Sequence, residues 1–140
     1  MKPLESNSLT SQQSEALMTA AREASARAYA PYSRFHVGAA VLADDGRVFT
    51  AANVENASYG LTSCAERNAI FAAVSAGARR IVGVAIHTPT AQPVSPCGAC
   101  RQVIQEFGPD ATVVSCCDGD GCSSWSVEEL LPGAFGAKDL

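Results

Sequence analysis

The hydrophobic pattern of the chain becomes helical at about Ser11, after a polar start. Beyond that point, small apolar residues recur at intervals of four, three and four: Leu17, Ala21, Ala24 and Ala28. This spacing predicts an amphipathic helix, and its alanines have high helix propensity. We expect Pro31 to end the helix, because the residue before a proline is displaced from helical geometry.

A hairpin is expected after this helix. The segment Phe35–Leu42 is apolar throughout from Val37 and predicts a buried strand. Asp44-Asp45-Gly46 is a hairpin turn signal, and the returning strand is expected over 47–53. A polar loop then leads to residue 63.

Helices and strands alternate over the rest of the chain. The predicted elements are a helix over 64–76, a strand over 81–87, a helix over 96–107, a strand over 111–116, a short fifth strand over 123–126 and a short helix over 127–131. Inward-facing residues are expected on the two longer helices: Ile70, Phe71 and Val74, then Val103, Ile104 and Phe107. This order predicts an α/β fold in three α-β-α layers with a five-stranded mixed sheet. We treat 1–140 as one domain, with a poorly defined N-terminal extension over 1–14.

Composition narrows the class of protein. Of the 140 residues, 47% are hydrophobic and 17% charged, which fits a compact core rather than a disordered chain. The net charge of −4 argues against electrostatic binding to nucleic acid or to an anionic membrane. No membrane-spanning run or secretory signal is apparent, so a cytoplasmic protein is the default expectation. For the same reason, the six cysteines favour metal binding or catalysis over a disulfide framework.

Three of the cysteines have the spacing of a metal site. Cys97 and Cys100 are three apart, and at a helix start this spacing brings both sulfurs to one side. Cys64 begins the preceding helix, with Ser63 as its expected cap, as Ser95 is for the later one. The positive end of a helix favours thiolate over thiol. Three thiolates can hold zinc and leave its fourth position for water.

Two charged residues beside Cys64 each allow two interpretations. Glu66 can move the proton of a water molecule, or it can complete a capping box with Ser63 and only bond the backbone. Arg67 can donate to a sulfur and reduce the negative charge of three thiolates, or it can be a surface arginine. His36 and His87 have no second ligand-type neighbour and are not assigned to the metal.

The motif Cys64-Ala65-Glu66-Arg67, together with 96–102, closely resembles the zinc motif of the small tetrameric cytidine deaminases. Three further segments are similar to that family: Tyr32–Ala40, Asn53–Asn56 and Leu130–Gly136. The resemblance implies a cytidine deaminase-like fold. It also implies zinc-dependent hydrolytic deamination of cytidine and 2′-deoxycytidine to uridine and 2′-deoxyuridine, with release of ammonia, in pyrimidine salvage.

The family motif also implies a role for each matching residue. Cys64, Cys97 and Cys100 would hold one zinc ion per subunit, which lowers the pKa of the water that attacks C4 of cytosine. Glu66 would carry protons to N3 and to the leaving amino group. Arg67 would moderate the thiolate charge.

Substrate contacts are implied by the other matching segments. Asn53 and Glu55 would bind the ribose, the backbone around Ala65 and Ser95 would hold the polar edge of the base, and Phe35 would contact the base. Phe135 would cover the substrate of a neighbouring subunit in a homotetramer. The alternatives are a solvated loop for Asn53 and Glu55, a core position for Phe35, and packing of Phe135 on its own domain.

Other functions remain open at this point. One is deamination of a related aminopyrimidine nucleoside of the blasticidin type, and another is a non-catalytic protein whose zinc only staples the fold. An editing deaminase would need a basic channel with stacking aromatics, which this acidic chain does not suggest. Cys116, Cys117 and Cys122 fall outside the family pattern.

Overall fold

A computed structural model of the chain describes residues 9–140. The helices and strands are α1 (Ser11–Ser25), β1 (Gly38–Ala43), β2 (Val48–Ala52), α2 (Ala65–Ser75), β3 (Ile81–Thr88), α3 (Gly98–Phe107), β4 (Thr112–Cys117), β5 (Cys122–Ser126) and α4 (Val127–Leu130). Short 3-10 turns lie at Tyr59–Leu61 and Ala137–Asp139. No helix over 9–140 has both the length and the apolar character needed to cross a bilayer.

The five strands form one mixed sheet in the order β2-β1-β3-β4-β5, which confirms the predicted fold. β3 and β4 are parallel, and the other neighbouring pairs are antiparallel. β2 and β3 are both antiparallel to β1, so they run in the same direction with β1 between them. The helices α2 and α3 are therefore crossovers between strands of one direction, as their sequence order predicts.

Helices cover both faces of this sheet. On one face, Leu17 and Ala21 of α1 pack against alternate residues of the strands: Ala40, Leu42, Ala85 and Val114. On the other face, Ile70 of α2 and Ile104 of α3 pack against the intervening residues: Ala39, Val41, Val84, Ile86 and Val113. The alternation follows from the two-residue period of a strand, and it produces the three α-β-α layers.

The first helix begins at Ser11, as predicted, but ends earlier than expected. Thr10 and Gln13 form a capping box, so the helix begins inside the stretch 1–14 that was expected to be poorly defined. Of that stretch, 1–8 lie outside the described residues. The helix ends at Ser25 rather than near Pro31, because the backbone of Tyr29 pairs with the segment after β2, donating to Asn53 and accepting from Glu55.

The buried face of α2 also differs from the prediction. Ile70 is fully buried as expected, but Phe71 is 48% exposed and lies outside the core. The sheet is contacted instead by a row of small residues: Ala65, Ala69 and Ala73. Alanine lets the helix approach the strands closely, and the neighbouring aromatic position then faces away from them.

We expect Gly38→Ala to destabilise the fold, because α1 lies directly over this glycine. An added Cβ would overlap the carbonyl oxygen of Ala21 and lie 2.5 Å from the backbone nitrogen of Ser25. Overpacking of this kind costs about 1–3 kcal/mol, which urea denaturation would measure. Gly60→Ala is the matched control, since nothing lies within 4 Å of its added Cβ. Equal unfolding midpoints for the two variants would contradict this packing.

Candidate active site

Three free cysteines converge where α2 and α3 begin. Cys64 and Cys97 occupy the N-cap positions of the two helices, and Cys100 lies in the first turn of α3. Their sulfurs all lie within 4.8 Å of one another, and those of Cys64 and Cys97 are 4.0 Å apart. Tetrahedral zinc with Zn–S bonds of about 2.3 Å requires sulfurs about 3.8 Å apart. The three sulfurs predicted as ligands therefore fit one zinc ion.

The helix caps are placed differently from the prediction. Ser63 and Ser95 were expected as caps, but the cysteines take the N-cap positions and neither makes a side-chain capping bond. The hydroxyl of Ser63 instead donates to the Asn68 side chain. Since the N3 residue of α2 is Arg67, a capping box between Ser63 and Glu66 is excluded.

The Cys64 sulfur lies in an environment that favours the thiolate. The Cys100 thiol, which hydrogen-bonds to it, and the Arg67 guanidinium lower the pKa of Cys64 to about 5. Arg67 donates to this sulfur over 3.3 Å. Arg67 is therefore not a purely surface residue, and this contact is the one that a charge-moderating role would require.

The carboxyl group of Glu66 is buried beside the cysteines. Only 6% of the residue is exposed, and burial raises its pKa to about 7. Desolvation disfavours the ionised carboxylate. Near neutral pH, both protonation states of this group are accessible, which suits a residue that accepts and returns a proton.

A cavity of about 210 Å³ opens beside Glu66 and the cysteines. Its lining residues are Phe35, Val37, Asn53, Thr62, Cys64, Ala65, Glu66, Ile86, Thr88, Val94, Ser95 and Cys97. Among these lining residues there is no lysine or arginine. The wall is thus mostly uncharged, with the ionisable groups gathered at Glu66 and the two thiols.

Asn53 and Phe35, to which the family resemblance assigns substrate contacts, both line the cavity. Asn53 is 8% exposed, and its side-chain amide accepts from the Val37 N–H over 2.9 Å and donates to the Phe35 carbonyl over 2.8 Å. Phe35 is 40% exposed, so its ring is not a core position. Asn53 therefore fixes the segment that carries Phe35 at the cavity wall.

Glu55 and Phe135 are not among the residues that line the cavity. The Glu55 carboxylate accepts from the N–H groups of Tyr32 and Ser33, over 2.9 and 3.1 Å, and from the Ser33 hydroxyl. The hydroxyl bond is the main cause of the lowered pKa of Glu55. Phe135 is 59% exposed, and its carbonyl accepts from the Gln102 side chain. Within one chain, neither side chain reaches the cavity.

Two residues that sequence reasoning did not single out hold the loops that carry the cysteines. Asn68 donates to the Ala52 carbonyl and accepts from the Ser63 hydroxyl. Arg101 donates to the Pro96 carbonyl, the Ser95 hydroxyl and the Leu130 carbonyl, each within 2.8 Å. The available signal was their position, one turn into a ligand-bearing helix, from which a long side chain can reach back to the preceding loop.

The two histidines remain outside the metal cluster. Over residues 9–140, the three cysteines are the only group of three or more potential metal-binding side chains. His87 is buried, with its Nε2 3.4 Å from the carboxylate of Asp118.

Known proteins match the chain over most of its length. The family described as "Cytidine and deoxycytidylate deaminase zinc-binding region" matches residues 11–116. A cytidine deaminase of Halalkalibacterium halodurans is 53% identical over 125 residues, covering 89% of this chain and 95% of the relative. A blasticidin-S deaminase of Bacillus cereus is 34% identical over 108 residues, covering 71% and 76%.

A solved structure shares the fold. The crystal structure of cytidine deaminase from Burkholderia pseudomallei is 48% identical and superposes with a TM-score of 0.85, covering 91% of this chain and all of that one. The cysteine cluster, the cavity and the fold agree with these matches. The chain belongs to the cytidine and deoxycytidylate deaminase family of zinc-binding proteins.

Proposed function

We propose that this protein is a hydrolase that deaminates cytidine and 2′-deoxycytidine to the uracil nucleosides, releasing ammonia in pyrimidine salvage. The observation that carries the proposal is the buried Glu66 carboxyl beside three converging sulfurs at the wall of a cavity. The identity of 53% to a cytidine deaminase supports the substrate class more strongly than the 34% identity to a blasticidin-S deaminase supports the alternative.

Cys64, Cys97 and Cys100 would hold one zinc ion per subunit. When bound, zinc acts as a Lewis acid that lowers the pKa of water and so provides a nucleophile near neutral pH. The helix N-termini at Cys64 and Cys97 and the donor bond from Arg67 stabilise the thiolate forms that the metal requires. Arg67 also withdraws charge from the sulfurs, which keeps the site electrophilic.

Glu66 is the proton carrier of the proposed reaction. Its carboxylate accepts a proton from the attacking water and delivers it to N3 of the pyrimidine as C4 is attacked. It then helps to protonate the departing amino group, so that ammonia leaves and C4 retains an oxygen. A carboxyl group with a pKa of about 7 can serve as both base and acid near neutral pH.

The cavity wall favours a neutral nucleoside over a nucleotide. A phosphate group needs a cationic or helix-terminal partner, and no lysine or arginine is among the lining residues. The N-termini of α2 and α3 are occupied by Cys64 and Cys97, so we do not assign a phosphate to them. We assign Phe35 to contact with the base and the backbone at Ala65 and Ser95 to its polar edge.

Asn53 and Glu55 are proposed to contact the ribose, chiefly at its 3′-hydroxyl. Asn53 is already at the wall. Glu55 is bonded to the loop at Tyr32 and Ser33, and to reach a ribose it must exchange at least one of those bonds for the substrate hydroxyl.

A homotetramer with shared sites is the proposed assembly. Several large apolar side chains are exposed: Tyr29, Tyr32, Val54, Tyr59, Leu61 and, in the tail, Phe135. Some of them are neighbours, because Tyr29 bridges to Val54 and the rings of Tyr32 and Tyr59 lie 6.1 Å apart. Exposed apolar groups that cluster in this way mark interaction surfaces. In this assembly, Phe135 covers the cavity of a neighbouring subunit.

We place the enzyme in the cytoplasm, with no nucleic-acid or membrane partner.

The first test compares Glu66→Gln with the unchanged protein on cytidine, 2′-deoxycytidine and cytidine monophosphate, followed by ultraviolet absorbance. We expect both nucleosides to react and the monophosphate to be a poor substrate. The variant should lose about 10²–10⁴-fold in kcat while it keeps its zinc and its fold. Glu106→Gln is the control, since that glutamate is exposed on α3.

Normal turnover of cytidine by the Glu66→Gln variant would show that Glu66 is not the proton carrier. Absence of any reaction of the unchanged protein with either nucleoside would favour the blasticidin-type or the zinc-stapled alternative. Reaction of the monophosphate alone would overturn the substrate class. Reaction of a blasticidin-type nucleoside in preference to cytidine would support the alternative.

Arg67→Gln tests the thiolate-moderating role. Loss of a group that hydrogen-bonds to a metal ligand typically costs 10–100-fold in activity or metal affinity, and we expect a loss in that range. Zinc content and kcat would be measured together. Arg79→Gln is the control, because Arg79 donates only to the Val74 and Ala78 carbonyls at the far end of α2. Equal effects of the two changes would refute the role.

Mixing two variants tests the shared site. Phe135→Ala and Glu66→Gln chains should each be weakly active, and assemblies formed from both should recover activity. In a mixed assembly, some sites combine an intact Glu66 with a Phe135 from the neighbour. Sedimentation should give about four times the chain mass of 14.5 kDa. A mixture no more active than the sum of its parts would place Phe135 on its own subunit.

A further inference from the structure

Two cysteines outside the zinc site lie directly opposite each other in the sheet. Cys116 of β4 and Cys122 of β5 are register partners in an antiparallel pair. Residues opposite each other in such a pair have Cα atoms about 4.5–5.5 Å apart, and disulfides span Cα distances of about 4.4–6.8 Å. The backbone is therefore already at disulfide spacing, although both thiols are free.

Both side chains lie on the α1 face of the sheet. Val114, two residues before Cys116, belongs to the core under α1, and alternate residues of a strand share a face. Cys122 lies on that face too, because directly paired residues point the same way. The intervening Ser115 bonds instead to the backbone of Val94, which lines the active-site cavity. The cysteine pair and the zinc site are thus on opposite faces.

The two thiols differ in accessibility. Cys122 is exposed, as is Ser124 on the same face of β5. Cys116 is half-buried, and its sulfur donates weakly to the Ile86 carbonyl over 3.5 Å. Burial raises the pKa of Cys116 to about 11, with smaller contributions from the neighbouring thiols of Cys122 and Cys117. An external reagent therefore meets Cys122 first.

Cys117 is the third cysteine of this region and is excluded from the pair. It is 4% exposed on the opposite face of β4. Its sulfur donates to the carbonyls of Ala91 and Gly121, over 3.5 and 3.4 Å. The alternation of the strand separates it from both partners.

We propose that Cys116 and Cys122 are a redox-active pair that closes to a cross-strand disulfide when the protein meets a low-molecular-weight disulfide such as oxidised glutathione. The Cys122 thiolate attacks the reagent, forms a mixed disulfide and releases one glutathione thiol. The Cys116 thiolate then attacks the Cys122 sulfur and releases the second. The two protein thiols lose two electrons and two protons, and one glutathione disulfide becomes two thiols.

The disulfide would hold the edge strand β5 against β4. β5 has only β4 as a neighbour, and an edge strand paired on one side is held by fewer contacts than a central strand, which makes it more open to local unfolding. β5 leads directly into α4, whose Leu130 carbonyl accepts from Arg101 of α3, and Arg101 also donates to the Pro96 carbonyl just before Cys97. Oxidation thus ties down the strand that continues to the active-site scaffold, without touching the zinc ligands.

The test uses the zinc-loaded full chain, incubated with oxidised glutathione and then alkylated. Cleavage before aspartate separates 110–117 from 120–138, so a disulfide between Cys116 and Cys122 keeps these two peptides linked until a reductant is added. We expect the linked pair in most chains of the unchanged protein. We expect it equally in Cys117→Ser, which is the matched control.

Cys122→Ser, at an exposed position, should abolish the link without affecting the fold, and Cys116→Ser should leave only glutathione on Cys122. The proposal fails if the unchanged protein gives no linked peptides. It also fails if the link survives Cys116→Ser, or if it is lost in Cys117→Ser. None of these results depends on the proposed deamination.

Discussion

The convergence of two helix N-termini on one face of the sheet is the constraint on which the site depends. β2 and β3 run in the same direction, so the loops that follow them leave the sheet at the same end of the strands. Each loop ends at a cysteine in an N-cap position, and the positive ends of α2 and α3 meet there. Ligand sites commonly lie beyond the carboxyl ends of strands for this reason. The sheet fixes where Cys64 and Cys97 lie, and the N-termini of α2 and α3 provide partial positive charge beside their sulfurs.

The loops are held by backbone bridges of Val54 to Tyr29 and Ser63 and by side-chain hydrogen bonds. Asn68 and Arg101 bond backwards from α2 and α3 to Ser63 and Pro96, the residues just before Cys64 and Cys97. Asn53 and Glu55 bond in the same manner to the segment around Phe35. Each uses a polar side chain to bond backbone groups beside the pocket. These bonds add order to that of the backbone bridges.

The same burial that shapes the pocket determines its chemistry. Exclusion of water from Glu66 raises its pKa towards neutrality, while contacts with Cys100 and Arg67 lower that of Cys64. The pKa values of two neighbouring groups are thus shifted in opposite directions, which separates the proposed proton carrier, Glu66, from the proposed metal ligand, Cys64. The redox pair proposed at Cys116 and Cys122 lies on the other face of β4, where this electrostatic arrangement does not extend.

The sequence alone predicted the order of helices and strands and the three cysteines that the structure brings together, because hydrophobic period and cysteine spacing are local properties. The tertiary structure decided what local pattern cannot contain. The end of α1 depends on pairing between Tyr29 and the segment after β2, and the exposure of Phe71 depends on how closely α2 approaches the sheet. Likewise, only strand register sets Cys116 opposite Cys122, since a shift of one residue would turn the side chains to opposite faces.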